Sequence, residues 1–173
     1  MLLKRYEVSS DWNSHLPLLY LSGEIQVEKY YEFGCGVGST PALEKMCIEK
    51  GIRFVSFETN PQWYKKMKGK NVYFRNNYED IVLKTRDCVI FVDSAPAETR
   101  ARLIETHGNA CKLMIVHDTE DGAEYVYGMR DALSKFKYRV DLEGHPYPRT
   151  TAVSNQIDVT VWKGLEFGRQ KIV

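Results

Sequence analysis

Tyr31-Glu32-Phe33-Gly34-Cys35-Gly36-Val37-Gly38-Ser39-Thr40-Pro41 is the stretch that decides the architecture. The aromatic run from Lys29 to Phe33 reads as a strand, and three glycines at alternate positions stop it. Thr40-Pro41 then opens a helix, with Thr40 as N-cap and Pro41 in the first turn, where a missing amide hydrogen costs nothing. Ala42, Leu43, Met46 and Cys47 make one apolar stripe, and Gly51 is placed to end the helix.

The same alternation continues downstream. Arg53 to Phe57 is a second strand delivering Glu58 at its end, and Asn60-Pro61 repeats the helix start. Asn71 to Arg75 reads as a third strand. Cys88 to Val92 is a fourth, ending at Asp93, and Lys112 to Val116 a fifth, ending at His117-Asp118. The last two are continuously apolar, as central parallel strands are. Val126, Met129, Leu133 and Phe136 mark a helix face, after which Tyr138 to Leu142 and Ile157 to Trp162 are expected to pair as a terminal hairpin. The loop between them, Glu143 to Gln156 with His145-Pro146-Tyr147-Pro148-Arg149, is long for a hairpin and reads as a substrate contact or as a plain connection. The predicted fold is α/β and Rossmann-like: a doubly wound, mostly parallel sheet with an antiparallel C-terminal hairpin and helices on both faces.

Composition narrows the function classes. A chain of 173 residues, 43% apolar and 27% charged, is sized for one globular domain. We divide it into a leader (1–28), a core (29–162) and a tail (163–173) that either packs on the hairpin or hangs free. With 24 basic against 23 acidic residues, no whole-protein field signals a polyanionic partner. The basic run Lys65, Lys66, Lys68, Lys70 and Arg75 reads as a solvated face or a phosphate contact, so a nucleic-acid partner is possible but not favoured. No apolar run reaches the ~20 residues of a membrane span, and no secretory leader is evident, so the expected location is the cytoplasm. Cys35, Cys47, Cys88 and Cys111 are scattered without zinc-ligand spacing and read as reduced thiols, Cys88 and Cys111 as buried ones.

In open parallel sheets, ligands sit beyond the carboxyl ends of the strands. Here the glycine loop, Glu58, Asp93 and His117-Asp118 all fall at such ends. Glycines let backbone approach a ligand, and the helix start behind them offers amide hydrogens to an anionic group. The pattern is E-x-G-x-G-x-G, and Ser39 stands where a dinucleotide fingerprint counted from Gly34 would need glycine, which disfavours an NAD-linked oxidoreductase. Glu58, twenty residues beyond Gly38, is either a surface glutamate or the acceptor of two ribose hydroxyls.

Through YEFGCGVGST, FVSFETNP, VYFRNNYED, VIFVDSAPAETR and MIVHDTE, in that order, residues 29 to 162 resemble class I S-adenosylmethionine-dependent methyltransferases. The resemblance implies a seven-stranded sheet whose last strand is antiparallel, and S-adenosyl-L-methionine as cofactor. It implies that Gly34, Gly36 and Gly38 hold the methionine part, with Glu32, Cys35, Ser39 and Thr40 in the same loop. Glu58 would hold the ribose and Asn77-Tyr78 the adenine edge, with Asp93 and Ser94 completing the site. Many members carry aspartate where Asn77 aligns, so adenine would be met by an amide or by Tyr78. The leader Trp12-Asn13-Ser14-His15-Leu16-Pro17 and the ending Val153-Ser154-Asn155-Gln156-Ile157-Asp158-Val159 are similar to bacterial and phage methyltransferase-like proteins, without naming a substrate.

Three residues are candidates for the chemistry. His117 suits a general base because its ordinary pKa is ~6.5, unless it is a histidine satisfied within the sheet edge. Asp93 would anchor a hydroxyl or the cofactor ammonium, and Asp118 would orient His117 or act itself; both also fit as helix caps. Asp93 and Asp118 would suit a hard divalent ion, but no third ligand has matching spacing, so no metal is assigned. Asp93-Ser94-Ala95-Pro96 only partly echoes the [DN]-P-P-[YF] pattern of aminomethyltransferases, which tilts the reading toward an oxygen nucleophile. The expected partner is a small-molecule acceptor, a sugar or other metabolite hydroxyl, with oligomeric state open. The competing readings are a catalytically silent cofactor-binding subunit and a nucleic-acid methyltransferase. Asp11 to Pro17 would fold over the cleft as a lid, with Trp12 and His15 otherwise packing or surface residues.

Overall fold

The computed structural model describes residues 13–67, 69, 71–144 and 147–173. Asp11 and Trp12 of the expected lid, Lys68 and Lys70 of the basic run, and His145 and Pro146 of the expected loop lie outside the described residues.

Helix α1 (Leu16–Ser22) precedes β1 (Lys29–Phe33), and α2 (Ser39–Lys50) leads to β2 (Arg53–Glu58). Helix α3 (Pro61–Met67), β3 (Val72–Phe74), β4 (Cys88–Val92), α4 (Thr99–His107) and β5 (Leu113–His117) follow. The chain continues through α5 (Asp121–Val126), α6 (Met129–Ser134), β6 (Tyr138–Glu143), β7 (Thr150–Ser154), β8 (Glu166–Phe167) and β9 (Gln170–Ile172). One sheet joins all nine strands in the order β3-β2-β1-β4-β5-β7-β6-β9-β8. Strands β1 to β5 are parallel, and β7, β6, β9 and β8 pair antiparallel.

Alternation along the strands separates two cores. Tyr30, Phe54, Val89, Phe91, Leu113 and Ile115 pack on one face with Leu18 of α1 and Leu43 and Met46 of α2. Tyr31, Phe33, Phe57, Ile90, Val92, Met114 and Val116 pack on the other with Leu103 of α4 and Leu133 of α6. Every residue of β4 and β5 is buried, as their unbroken apolar runs predict. All four cysteines are free and buried. Among the described residues, no helix is long and apolar enough to cross a membrane.

Four expectations are corrected. The partner of β6 is β7, with Tyr138 opposite Ser154 and Leu142 opposite Thr150, rather than Ile157 to Trp162. Val159–Trp162 instead forms a 3₁₀ turn, because the Asp158 carboxylate accepts the Thr160 amide and caps it. The long hairpin loop therefore shrinks to residues 144–149. The tail adds β8 and β9 beyond β6, so the sheet has nine strands where seven were expected. The helix start is also displaced: α2 begins at Ser39 behind Gly38, and the Thr40 side chain turns back to the glycine loop. Finally, the single helix expected after β5 breaks into α5 and α6 at Gly128, whose φ of 69° is left-handed, and Val126 faces solvent.

Candidate functional site

The glycine loop is held by its neighbours. Gly34 has φ 91°, and a Cβ there would lie 2.3 Å from the Asp93 carbonyl oxygen, so glycine lets the ends of β1 and β4 touch. At Gly36 a Cβ would meet the Ser39 hydroxyl at 2.8 Å. Beneath the loop, the Gly36 amide donates to Thr40 Oγ1 at 2.9 Å, and that hydroxyl donates to Glu32 at 2.7 Å. Glu32 is fully buried, and burial pushes its carboxyl up to about 7 against the hydroxyls of Ser39, Ser56 and Thr40.

Glu58, at the end of β2, ties this loop to the next one. It accepts the Thr59 and Asn60 amides at 2.7 Å each and the Cys35 amide at 3.2 Å. The Cys35 thiol donates to the same carboxylate, and burial followed by the Glu58 charge raises its pKa. Asn60 Oδ1 caps α3 by accepting the Gln62 and Trp63 amides, as the Asn-Pro signal predicts. That cap aims Trp63 back across the loop, where its indole N–H donates to the Cys35 carbonyl.

These elements wall a cleft of about 380 Å³, within the ~300–1,000 Å³ of small-molecule sites. Cys35, Gly36, Gly38, Ser39, Glu58 and Asp93 line it, and so do His15, Asn60, Trp63 and Arg100. A neighbouring hollow of about 130 Å³ is lined by Asn77, Tyr78, Pro96, Leu103 and His107. Thr59 lines it too, and its hydroxyl donates to the Ala95 carbonyl where the two hollows adjoin. Asn77 spends its amide on Asp80, donating to Oδ2 and accepting the Asp80 backbone amide.

The remaining candidates lie outside the cleft lining. Glu32 and Thr40 support the loop from below. Ser94 is buried, with its hydroxyl on Thr99 at 2.7 Å. His117 and Asp118 sit behind Asp93.

Arg100, in the first turn of α4, organises that group. Its guanidinium donates to Asp93 at 2.9 Å, to Asp118 at 2.8 Å, and to the carbonyls of Ser94 and His117. His117 Nδ1 lies 3.1 Å from Asp118 and 3.5 Å from Asp93. Burial opposes charge on both His117 and Asp93. The attraction between the imidazole and the carboxylate 3.5 Å away outweighs it, raising the His117 pKa and lowering that of Asp93. Asp118 adopts φ 53°, a strained conformation for a residue with a side chain. Asp93, His117 and Asp118 do bring three donor atoms within 4.8 Å of one another, the third ligand that spacing alone did not reveal. Arg100 already supplies a positive charge to both carboxylates.

Arg100 is not among the sequence candidates, and Ser14 appears there only within the lid segment, whereas His15 takes the packing alternative given for it. Arg100 carries a faint signal, a cation seven residues after Asp93 at the start of a helical segment. His15 packs its ring 5.0 Å from those of His117 and Phe91. Burial, then the His117 charge, depresses its pKa to about 3.

No family model matches the chain, and no curated protein matches it by sequence. Solved structures do. Cofactor-bound Rv0187 from MTB superposes with a TM-score of 0.64 at 16% identity, over 90% of this chain and 84% of that one. The O-methyltransferase TomG from Streptomyces achromogenes, in complex with SAM, gives 0.58 at 14% identity, over 89% and 92%. SAH-bound methyltransferase PaMTH1 from Podospora anserina gives 0.52 at 17% identity, over 81% and 76%. The chain shares the α/β Rossmann-like fold of these structures, two of which are methyltransferases.

Proposed function

We propose that this protein is an S-adenosylmethionine-dependent methyltransferase acting on a hydroxyl of a sugar or other small metabolite. The observation that carries the reading is the pairing of a glycine cradle with Glu58 in one cleft, at the N-terminus of α2. TomG and PaMTH1, which share the fold, hold SAM and SAH.

The cleft fits the cofactor. Gly36 and Gly38 line the cleft, a Cβ at Gly36 would press on the Ser39 hydroxyl at the start of α2, and the first turn of α2 presents amides to a carboxylate. Glu58, fixed by three backbone amides, offers its rim to the ribose hydroxyls. Asn77 and Tyr78 line the adjoining hollow that would take the adenine. When bound, the cofactor supplies a methyl group on a positive sulfur, open to in-line displacement.

Asp93 is the catalytic candidate whose side chain lines the cleft. It would accept the hydrogen bond of the acceptor hydroxyl and aim its oxygen. As a C–O bond formed and the methyl–sulfur bond broke, the hydroxyl proton would pass by way of Asp93, whose lowered pKa returns it to water. His117 and Arg100 hold Asp93 in place, and Asp118 orients His117. The buried reduced thiols suit a cytoplasmic enzyme. The likeness of leader and ending to bacterial and phage methyltransferase-like proteins belongs to the same reading.

Calorimetric titration with S-adenosylmethionine, S-adenosylhomocysteine and NAD tests the cofactor. The expected result is saturable binding of the first two, weakened at least tenfold in a folded Glu58→Ala variant. Absence of binding, or tighter binding of NAD, overturns the reading.

A further inference from the structure

The connection from β3 to β4, residues 75–87, contains no helix. The sheet face carrying Tyr31, Val55, Phe57 and Tyr73 is therefore bordered by a groove of about 360 Å³ on its β1-β2-β3 side. Three rings cross the strands beneath it. Tyr31 and Phe57 stack with centroids 6.4 Å apart and planes 12° from parallel, and Phe57 and Tyr73 lie 6.5 Å apart. Tyr73, on the edge strand, is 42% exposed.

Cations lie over these rings. Lys29 Nζ sits 4.6 Å above Tyr31, and the Arg75 guanidinium lies 5.5 Å from Phe57 and 5.8 Å from Tyr73. Lys84 also lines the groove, beside the Tyr31 hydroxyl that accepts its backbone amide at 3.0 Å. Lys29, Arg75 and Lys84 form no ion pair among the described residues, whereas Arg53, Arg102 and Lys112 nearby each hold a carboxylate. Asp80 is the one acidic residue lining the groove. The positive charge is felt locally: the Lys29 pKa is lowered, first by burial and then by Arg53 and Lys84.

Tyr31 and Phe57 are buried and support the groove floor, leaving Tyr73 as the open ring. An open aromatic face beside unpaired lysine and arginine is the combination that stacks a base and neutralises phosphates of single strands. A groove along an edge of the sheet admits an extended strand; a duplex would present its bases only at their edges. We propose that this groove binds single-stranded nucleic acid, with Lys29, Lys84 and Arg75 on phosphates and a base on Tyr73. The site lies outside the cofactor cleft lining and does not rest on the methyltransferase reading.

The test is fluorescence anisotropy of the full chain, without cofactor, using a labelled 12-nucleotide single-stranded RNA, its DNA equivalent and a duplex. The expected result is saturable binding of a single strand in preference to duplex. Three phosphate contacts would give a log affinity against log salt slope of about −2. Tyr73→Ala should weaken binding roughly tenfold, and Lys84→Gln should weaken it and make the slope shallower by about 0.7. Both side chains are exposed, so folding is expected to survive, with circular dichroism as the check. Failure to bind any single strand, equal binding of duplex, or unchanged affinity in both folded variants overturns the proposal. Calorimetric titration with S-adenosylhomocysteine on the same preparations separates failure here from failure of the cofactor assignment.

Discussion

The Ser14 hydroxyl lies 2.9 Å from Nε2 of His117, joining residues 103 positions apart. The leader thus reaches the end of β5 and covers the imidazole nitrogen that points away from Asp93 and Asp118. The tail reinforces this contact, because the Gln170 side-chain amide donates to the Ser14 carbonyl at 3.0 Å. An imidazole acting as general base needs a ring nitrogen open to its substrate, and of Asp93, His117 and Asp118 the residue that lines the cleft is Asp93.

Replacing Ser14 with alanine removes the hydrogen bond from a buried histidine. A loss of roughly 1–3 kcal/mol is expected in urea unfolding, since the imidazole loses a partner without regaining water. A loss below about 0.5 kcal/mol would show that the contact carries no weight.

Arg100 should matter more. Removing it leaves Asp93 and Asp118 beside each other with one histidine between them, and breaking a buried charge pair costs roughly 3–5 kcal/mol. Arg100→Met should therefore unfold at much lower denaturant. Arg100→Lys should recover little, because one ammonium cannot span two carboxylates and two carbonyls. Stability within 1 kcal/mol of wild type for the lysine variant would refute the bridging role.

What the sequence made legible follows from local physics. Strand β1, the glycine turn, the Gly51 end of α2 and the Asn60-Pro61 start of α3 are each written in neighbouring residues. The hairpin partner was not, because Thr150–Ser154 is a polar-looking run. Its threonines are buried against β5 and β6, and the Thr119 and Thr151 hydroxyls pair with each other. Arg100 and Ser14 escaped for the same reason: their meaning comes from partners 7 to 103 residues away. The sequence placed Asp93, His117 and Asp118 at one sheet edge, but which of them faces the cleft depended on how α4 and the leader pack.

The Glu32 carboxyl gives a pH signature. Its folded pKa of about 7 lies above the ordinary 4.5, so the native state holds a proton that the unfolded chain releases. Its contribution is therefore complete below about 4.5, falls as pH rises to about 7, and then levels off. His15 works oppositely: its depressed pKa of about 3 makes stability rise with pH up to about 6.5. The difference between wild type and Glu32→Gln isolates the first group. Relative to that variant, wild type should lose on the order of 3 kcal/mol between pH 4.5 and 7. A flat difference across that range would mean Glu32 is ionised in the fold.

Gly34 and Gly51 separate close approach from backbone conformation. Both have left-handed φ, 91° and 67°, but a Cβ on Gly51 meets nothing within 4 Å. Gly51→Ala should cost only the conformational penalty, about 1–2 kcal/mol. Gly34→Ala adds a Cβ 2.3 Å from the Asp93 carbonyl oxygen and 2.8 Å from the Ser94 Cα, both backbone atoms of the adjoining loop. Relief requires pushing β1 and β4 apart at the point where the Asp93 amide donates to the Phe33 carbonyl at 2.9 Å. Gly34→Ala should therefore be destabilised by clearly more than Gly51→Ala in the same denaturant series, and any ligand affinity of the cleft should fall with it. Equal losses for the two variants would show that the contact between the loops is slack, and that the position of Asp93 does not depend on the glycine.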